Sequence, residues 1–461
     1  MPMRSIKVSF ERFTFRTIVA VGLLCAAVFL LAPDISAQIA RTDPAKSSVR
    51  YIDPVSGLSV EQAVERALKD NGELAAIRTE IEAGEALLRQ AGARSNPTLD
   101  VRGSKQFGGT DNSFMIEGGL PLELGGRRNA RIAVAARELE IRQFAAAERE
   151  RQLAAEVRNK FGEVLAAILK LQFTEKTLAL AKDNVDLVAA QVSEGRRPPL
   201  EQNMETVELN RIRAMRESAE AAVELRMLEL KNLLGIEPRQ PLAIRGELAE
   251  MLDPIPPETT SVERAIETRP DIQGARTLES LAAARGGQAR AEGRIDGELM
   301  LGYQRMRSSF PLMDINNQTG ALVTMDETMN FLTFGIRLTL PVRDRKEGMA
   351  AAAHSEEIAA RSRREFAELT ARREIAASYL RYDRARRAAE IYRVGVRDQA
   401  AANLDVVRQT YELGSRTLLD HIAEQRRFID IENGYIDALL GVYLARTEIL
   451  RATNAAELTN K

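Results

Sequence analysis

The segment "YELGSRTLLDHIAEQ" (411–425) gathers a phenol, a guanidinium and two carboxylates around a glycine: Tyr411, Gly414, Arg416, Asp420 and Glu424. Gly-Ser stops a helix, because glycine takes the left-handed conformation that ends one at little cost. A phenol can donate a hydrogen bond and a guanidinium can fork onto a carboxylate, so these residue types suit a latch between neighbouring turns. An earlier stretch, "VSEGRRPPLEQ" (192–202), carries the same pattern: Gly195 matches Gly414, Arg197 matches Arg416 and Glu201 matches Asp420. Bond-making chemistry has little to work with. The chain has two His and one Cys. His354 and His421 lack a partner Ser, Cys or acidic dyad and read as solvated helix-face residues, and no Gly-rich phosphate loop follows a strand. No catalytic residue, cofactor or bound metal is expected, so the chain does not read as an enzyme.

These residues must be positioned by helices. The composition is rich in Ala, Glu, Arg and Leu, has no Trp and only 16 Pro in 461 residues, and its net charge of −1 carries no nucleic-acid footprint. At the start, Arg4, Lys7, Arg12 and Arg16 precede the apolar run "TIVAVGLLCAAVFLLA" and the small residues of "DISAQ". That order is a secretory signal, residues 1–37, with cleavage expected after Ala37; Cys25, preceded by Leu24 inside the apolar run, is not a lipidation site. Residues 38–57 form an N-terminal extension.

The remainder is duplicated. "LSVEQAVERALKDNGELAAIRTEIEAGEALLRQAGARSNPTLDVRG" (58–103) is echoed by "TSVERAIETRPDIQGARTLESLAAARGGQARAEGRIDGELMLG" (260–302), and "LPLELGGRRNARI" (120–132) by "LTLPVRDRKEG" (338–348). The boundaries expected are 58–234 for the first repeat, 235–258 for a Pro-rich linker, 259–453 for the second repeat and 454–461 for a tail. Along each half, apolar and small residues recur in steps of three and four, as in Leu153, Val157, Lys160, Val164, Ala167, Leu171, Thr174, Leu178, Ala181 and Val185. This is the thin seam of a coiled coil, which needs many helices side by side.

Four segments break the helical pattern with a period of two, at about 97–107, 113–124, 296–307 and 330–342. Phe114, Ile116, Leu120, Leu299, Leu301, Leu332, Phe334 and Ile336 fall on one face, and Asp100, Arg102, Glu117, Gln304 and Arg337 on the other. Strands of about nine to twelve residues, apolar outside and polar inside, suit a water-filled membrane barrel. Four strands cannot close one, and open edges are not tolerated in lipid, so three copies contributing about twelve strands are expected. The Pro-free stretches 127–194 and 347–413 would each make one continuous helix of about 100 Å, ending at the Gly195 and Gly414 turns.

The duplicated order of helix, two strands, long helix, turn and helix, together with "YELGSRTLLD", resembles the TolC family of outer-membrane efflux channels over nearly the whole mature chain. The resemblance implies a mainly α fold with a membrane β-barrel: a trimeric twelve-stranded barrel on a periplasmic helical tunnel. It also implies an outer-membrane location in a Gram-negative bacterium, contact with outer-membrane lipid, and partnership with a periplasmic adaptor and an inner-membrane pump of RND or ABC type. In the family the Tyr, Arg and first Asp of this motif hold the tip closed, roles that carry over to Tyr411, Arg416 and Asp420. A second acidic position lining the entrance is Ala423 here, with Glu424 beside it. "PLELGGRRNARI" looks like the branch serving heavy-metal pumps, so metal ions or small toxic compounds are the implied cargo; type I protein secretion is the alternative. A periplasmic adaptor would show one hairpin with β-rich flanks in place of two duplicated hairpins.

Overall fold

The computed structural model describes residues 44–248 and 257–459. The expected signal peptide with Cys25, residues 38–43, part of the linker at 249–256 and the last two residues lie outside the described residues.

The first half opens with helix α1 (Val60–Asp70), whose Ser59 caps the N-terminus in a reciprocal box with Gln62. Asn71 ends α1 and starts α2 (Gly72–Gly92), its side chain accepting from Leu74 N–H at 3.1 Å. Strands β1 (Thr98–Lys105) and β2 (Asn112–Pro121) follow, then the 67-residue helix α3 (Arg127–Ser193) and helix α4 (Pro199–Leu233). The second half repeats the order: α5 (Glu258–Thr268), α6 (Pro270–Glu292), β3 (Asp296–Ile315), β4 (Leu322–Thr339), α7 (Glu347–Glu390), α8 (Asp398–Glu412) and α9 (Leu418–Thr453). The duplicated Ser-Val-Glu does not act alike in the two halves. Ser59 is a cap, whereas Ser261 lies within α5, where its hydroxyl donates to Pro257 C=O and sits 3.1 Å from the Tyr379 hydroxyl.

The four strands form one antiparallel sheet in the order β1-β2-β3-β4. Its register lines up Val101, Ile116, Tyr303 and Leu332 in one row, and Leu99, Gly118, Leu301 and Phe334 in the next. These apolar side chains are exposed. The opposite face carries Asp100, Arg102, Glu117 and Gln304, with an Arg337–Glu298 ion pair at 2.8 Å. Strands β3 and β4 continue beyond the segments marked by alternation, to Ile315 and from Leu322, through a bulge between Phe310 and Met313 that breaks the period. Among the described residues no helix is long and apolar enough to cross a membrane.

The Gly-Gly-Arg-Arg segment serves the corner between β2 and α3. Glu123, Gly125 and Gly126 adopt positive φ. Arg128 and Arg131 then donate to Gly92, Ala91 and Ala93 carbonyls at the end of α2, and Arg127 to Glu292 and Arg294 carbonyls at the end of α6. Cations at helix C-termini satisfy carbonyls that have no intrahelical partner.

The expected seam is buried in α3: Leu153, Val157, Val164 and Leu171 are sealed from solvent. With Val60, Val64 and Leu74 from α1 and α2, and Val223, Leu230 and Leu234 from α4, they form the main core. The second long helix departs from expectation, because residues Ile391–Arg397 widen into a π-helix between α7 and α8. There Arg397 reaches Glu432 of α9 at 2.5 Å and stacks over the Tyr435 ring at 5.2 Å. Close crossing of α3 and α9 depends on Gly162, where a Cβ would lie 2.4 Å from the Tyr443 ring. Gly162→Ala gains about 1 kcal/mol of helix propensity. Overpacking against a buried Tyr443 costs about 1–3 kcal/mol, so the net is a lower melting temperature by circular dichroism. In a Tyr443→Ala background the same Gly162→Ala change should cost less than it does in the parent chain, because the ring it would strike is gone.

Candidate functional site: the two hairpin tips

Both long helices end in the same turn. At the first tip Gly195 (φ 71) closes a Schellman motif, with Arg196 N–H donating to Gln191 C=O at 2.9 Å and Gly195 N–H to Val192 C=O at 3.0 Å. At the second, Gly414 (φ 76) does the same, Ser415 N–H reaching Thr410 C=O at 2.9 Å and Gly414 N–H reaching Tyr411 C=O at 3.0 Å. The following helices start differently: α4 has Pro199 at its first turn, and α9 has Thr417 in a reciprocal box with Asp420.

The turns bring Arg197, Glu201 and Tyr411 together. Arg197, just ahead of α4, pairs with Glu201 in its first turn at 2.7 Å, and the Tyr411 hydroxyl donates to the same Glu201 oxygen at 2.9 Å. Arg197 donates to the Tyr411 hydroxyl and lies 4.3 Å from its ring centroid. One aromatic of the second hairpin is thus held by a charged pair of the first, through contacts worth about 0.5–1.5 kcal/mol each. Burial, reinforced by the Glu201 carboxylate, pushes the Tyr411 phenol well above its ordinary value, so it stays a donor.

Arg416 and Asp420 do not meet within the chain. Asp420 accepts from Thr417 N–H at 3.1 Å and from the Thr417 hydroxyl at 2.9 Å, bonds that hold its carboxyl below the usual range. Arg416 is exposed and has no ion-pair partner among the described residues. Glu424 is half-buried, with one oxygen 3.2 Å from Arg427 and the other enclosed without a hydrogen-bond partner. His421 departs from the sequence reading: it is buried and stacks on the Tyr411 ring, centroids 5.7 Å apart, with Nδ1 unpartnered. Burial, aided by the Arg408 charge, pushes its pKa down, so the ring packs as a neutral aromatic.

Two further residues escape motif reading. Glu208 of α4 is 1% exposed and receives Arg211 at 2.6 Å and Arg426 of α9 at 2.7 Å, tying the two hairpins below the tips. Burial works to raise its pKa, but the two guanidiniums hold it low. Glu205 is 4% exposed and has no ion-pair partner among the described residues; burial, then the Glu208 and Glu201 charges, push its pKa up against the nearby Arg197 charge. The signal was present as spacing, since Glu201, Glu205 and Glu208 precede Ile212 on the seam in steps of three and four.

A raised carboxyl pKa means that Glu205 favours the folded tip while protonated and disfavours it as pH rises through that raised value. Glu205→Gln should therefore raise the melting temperature at pH 8 by about 1–3 °C, with the difference shrinking towards pH 5. Thermal scans across this range check it.

Residues 63–236 match the family model described as Outer membrane efflux protein. The chain is 26% identical over 438 residues to the cobalt-zinc-cadmium resistance protein CzcC of Cupriavidus metallidurans, covering 92% of this chain and 97% of that one. Among solved structures, a membrane protein from Pseudomonas aeruginosa superposes with TM-score 0.70 at 22% identity, covering 86% of this chain and 92% of that one. The open state of the Neisseria gonorrhoeae MtrE outer membrane channel superposes with TM-score 0.68 at 17% identity, covering 86% and 88%. Residues 63–236 are thus similar to the outer membrane efflux protein family, and the chain has the fold of the outer-membrane channels it superposes on.

Proposed function

We propose that this chain is the outer-membrane channel of a tripartite efflux system, exporting metal ions or small toxic compounds handed on by an inner-membrane pump. The observation that carries the reading is the sheet: four antiparallel strands with one exposed apolar face, joined at one end to two helical hairpins. Such a face belongs in lipid, and its two free edges call for further strands. Three copies would supply about twelve strands. The likeness to a cobalt-zinc-cadmium resistance protein favours metal ions as cargo.

In this reading the tips form the inner end of the duct. Tyr411, Arg197 and Glu201 hold the two hairpins of one copy together, while Arg416 is left free to meet a neighbouring copy around the axis. Gly195 and Gly414 set the turns, and Asp420 fixes the start of α9. Leu200, Leu413 and Leu419 stand exposed beside them, an apolar rim suited to the hairpin of a periplasmic adaptor that links the channel to a pump of RND or ABC type.

The mature protein should purify from outer membranes as a detergent-requiring trimer. Tyr411→Phe combined with Arg197→Ser removes the hydroxyl and the cation of the latch while sparing both glycine turns. Single-channel conductance in planar bilayers is expected to rise severalfold with the trimer intact. A soluble monomer of full helicity would overturn the channel reading; unchanged conductance in a folded double variant would overturn the latch.

A further inference from the structure

The apolar face of the sheet changes chemistry at one level. From the row of Gly297 and Leu338 to the row of Tyr303 and Leu332 the register brings no charged residue onto it. The next rows set Arg305 opposite Asn330, then Arg307 opposite Thr328 and Lys105 opposite Asn112, all three cations exposed. Asp326, the carboxylate that follows on this face, takes one Nη of Arg307 at 2.8 Å and leaves the other donors of its fork. Arg305 and Lys105 have no ion-pair partner among the described residues. The opposite face shows no such bias, since Asp100 pairs with Arg102 at 2.6 Å and Glu298 with Arg337 at 2.8 Å.

The level of the change matches a bilayer boundary. From Leu340, just past β4, to Leu332 the strand runs about 27 Å at about 3.4 Å per residue. A tilt of about 40° makes that about 20 Å of height, close to the apolar band of about 25 Å in membrane barrels. Tyr303 marks the boundary: its ring stands on the last apolar row and its hydroxyl donates to Asn330 Oδ1 at 2.8 Å, one row towards the cations. The basic rim lies at the end of the sheet away from the helices, beside the turn at 106–111. In the channel reading, on which the inference rests, that end lies in the outer leaflet.

Arg305 and Arg307 alternate along β3, about 7 Å apart on one face, so two forked guanidiniums can close on one phosphate. Lys105 stands two strands across from Arg307, about 10 Å away, a spacing that suits a second phosphate of the same headgroup. Phe114, exposed opposite Arg305, offers apolar surface to the adjoining acyl chain. We propose that Arg305, Arg307 and Lys105 form a binding site for an anionic glycolipid of the outer leaflet, the phosphorylated disaccharide of lipid A, on the outer wall of the barrel. A face that is hydrocarbon-like over its height and basic at one rim complements a leaflet whose interior is apolar and whose headgroups are anionic.

The test uses the mature protein in detergent, with fluorescent diphosphoryl lipid A as the probe and anisotropy as the readout. Saturable binding is expected, weaker for monophosphoryl lipid A. Arg305→Gln/Arg307→Gln should weaken it by about tenfold or more and Lys105→Gln by less. Arg305→Gln alone removes no ion pair of the fold and should still weaken binding severalfold, so the loss does not come from breaking the Arg307–Asp326 pair. Arg102→Gln on the opposite face should leave binding as it is. No saturable binding, equal binding by the double variant, or an equal loss with Arg102→Gln overturns the site. Full displacement by millimolar inorganic phosphate overturns the lipid assignment in favour of a free anion. Conductance of the same preparation separates the two readings. A conducting channel that binds no lipid A refutes the glycolipid site alone. A preparation that never conducts refutes the channel reading, while the Arg305→Gln comparison still decides the site.

Discussion

A strand in lipid must pair both of its edges, because no water is available to satisfy an open row of amides and carbonyls. The sheet pairs both edges of β2 and β3 and leaves one edge each of β1 and β4 open within the chain. Much of the architecture follows from this. Duplication supplies strands in hairpin pairs, β1 with β2 and β3 with β4, each flanked by helices that carry the chain away from the sheet. The corner arginines Arg127, Arg128 and Arg131 then tie the start of α3 to the ends of α2 and α6, so the sheet and the helices turn as one unit.

The helical part is graded along its length. Around Leu153, Phe161, Val223 and Leu230 the seam is apolar and fully buried. Towards the π-segment and the tips the buried positions become Glu432, Glu208, Glu205, Gln425 and His421. Buried charges repay little stability but fix register, since an unmatched carboxylate is costly. Pairs such as Glu208 with Arg426 and Glu432 with Arg397 therefore hold the hairpins in one alignment without welding them.

The same division runs across the sheet. Up to Tyr303 and Leu332 one face repeats branched and aromatic side chains that lipid accepts, and the other mixes the Arg337–Glu298 ion pair, Gln304, glycines and Phe331. The apolar alternation ends at Tyr303 and Leu332, where Arg305, Asn330 and Arg307 take over the same face, and β3 and β4 continue past the last paired residue of β2.

Local periodicity carries most of the fold. A period of two exposed the strands, steps of three and four exposed the seams, and Gly-Ser or Gly-Arg after a long helical run marked the tips, because each depends only on backbone geometry repeated along the chain. The partners were another matter. The family resemblance marks Tyr411, Arg416 and Asp420 without naming what each one touches; in the fold Asp420 caps its own helix and Tyr411 finds Arg197 and Glu201 more than 200 residues away. His421 and Glu205 look like solvent-facing residues in a list of amino acids and are buried only because α9 and α4 pack tip against tip. The π-segment was likewise invisible: a widened helix has no composition of its own and is set by what Arg397 can reach on the neighbouring helix. Hydrogen-bond and ion-pair partners depend on which surfaces meet, and that is decided by helix packing across the duplicated halves.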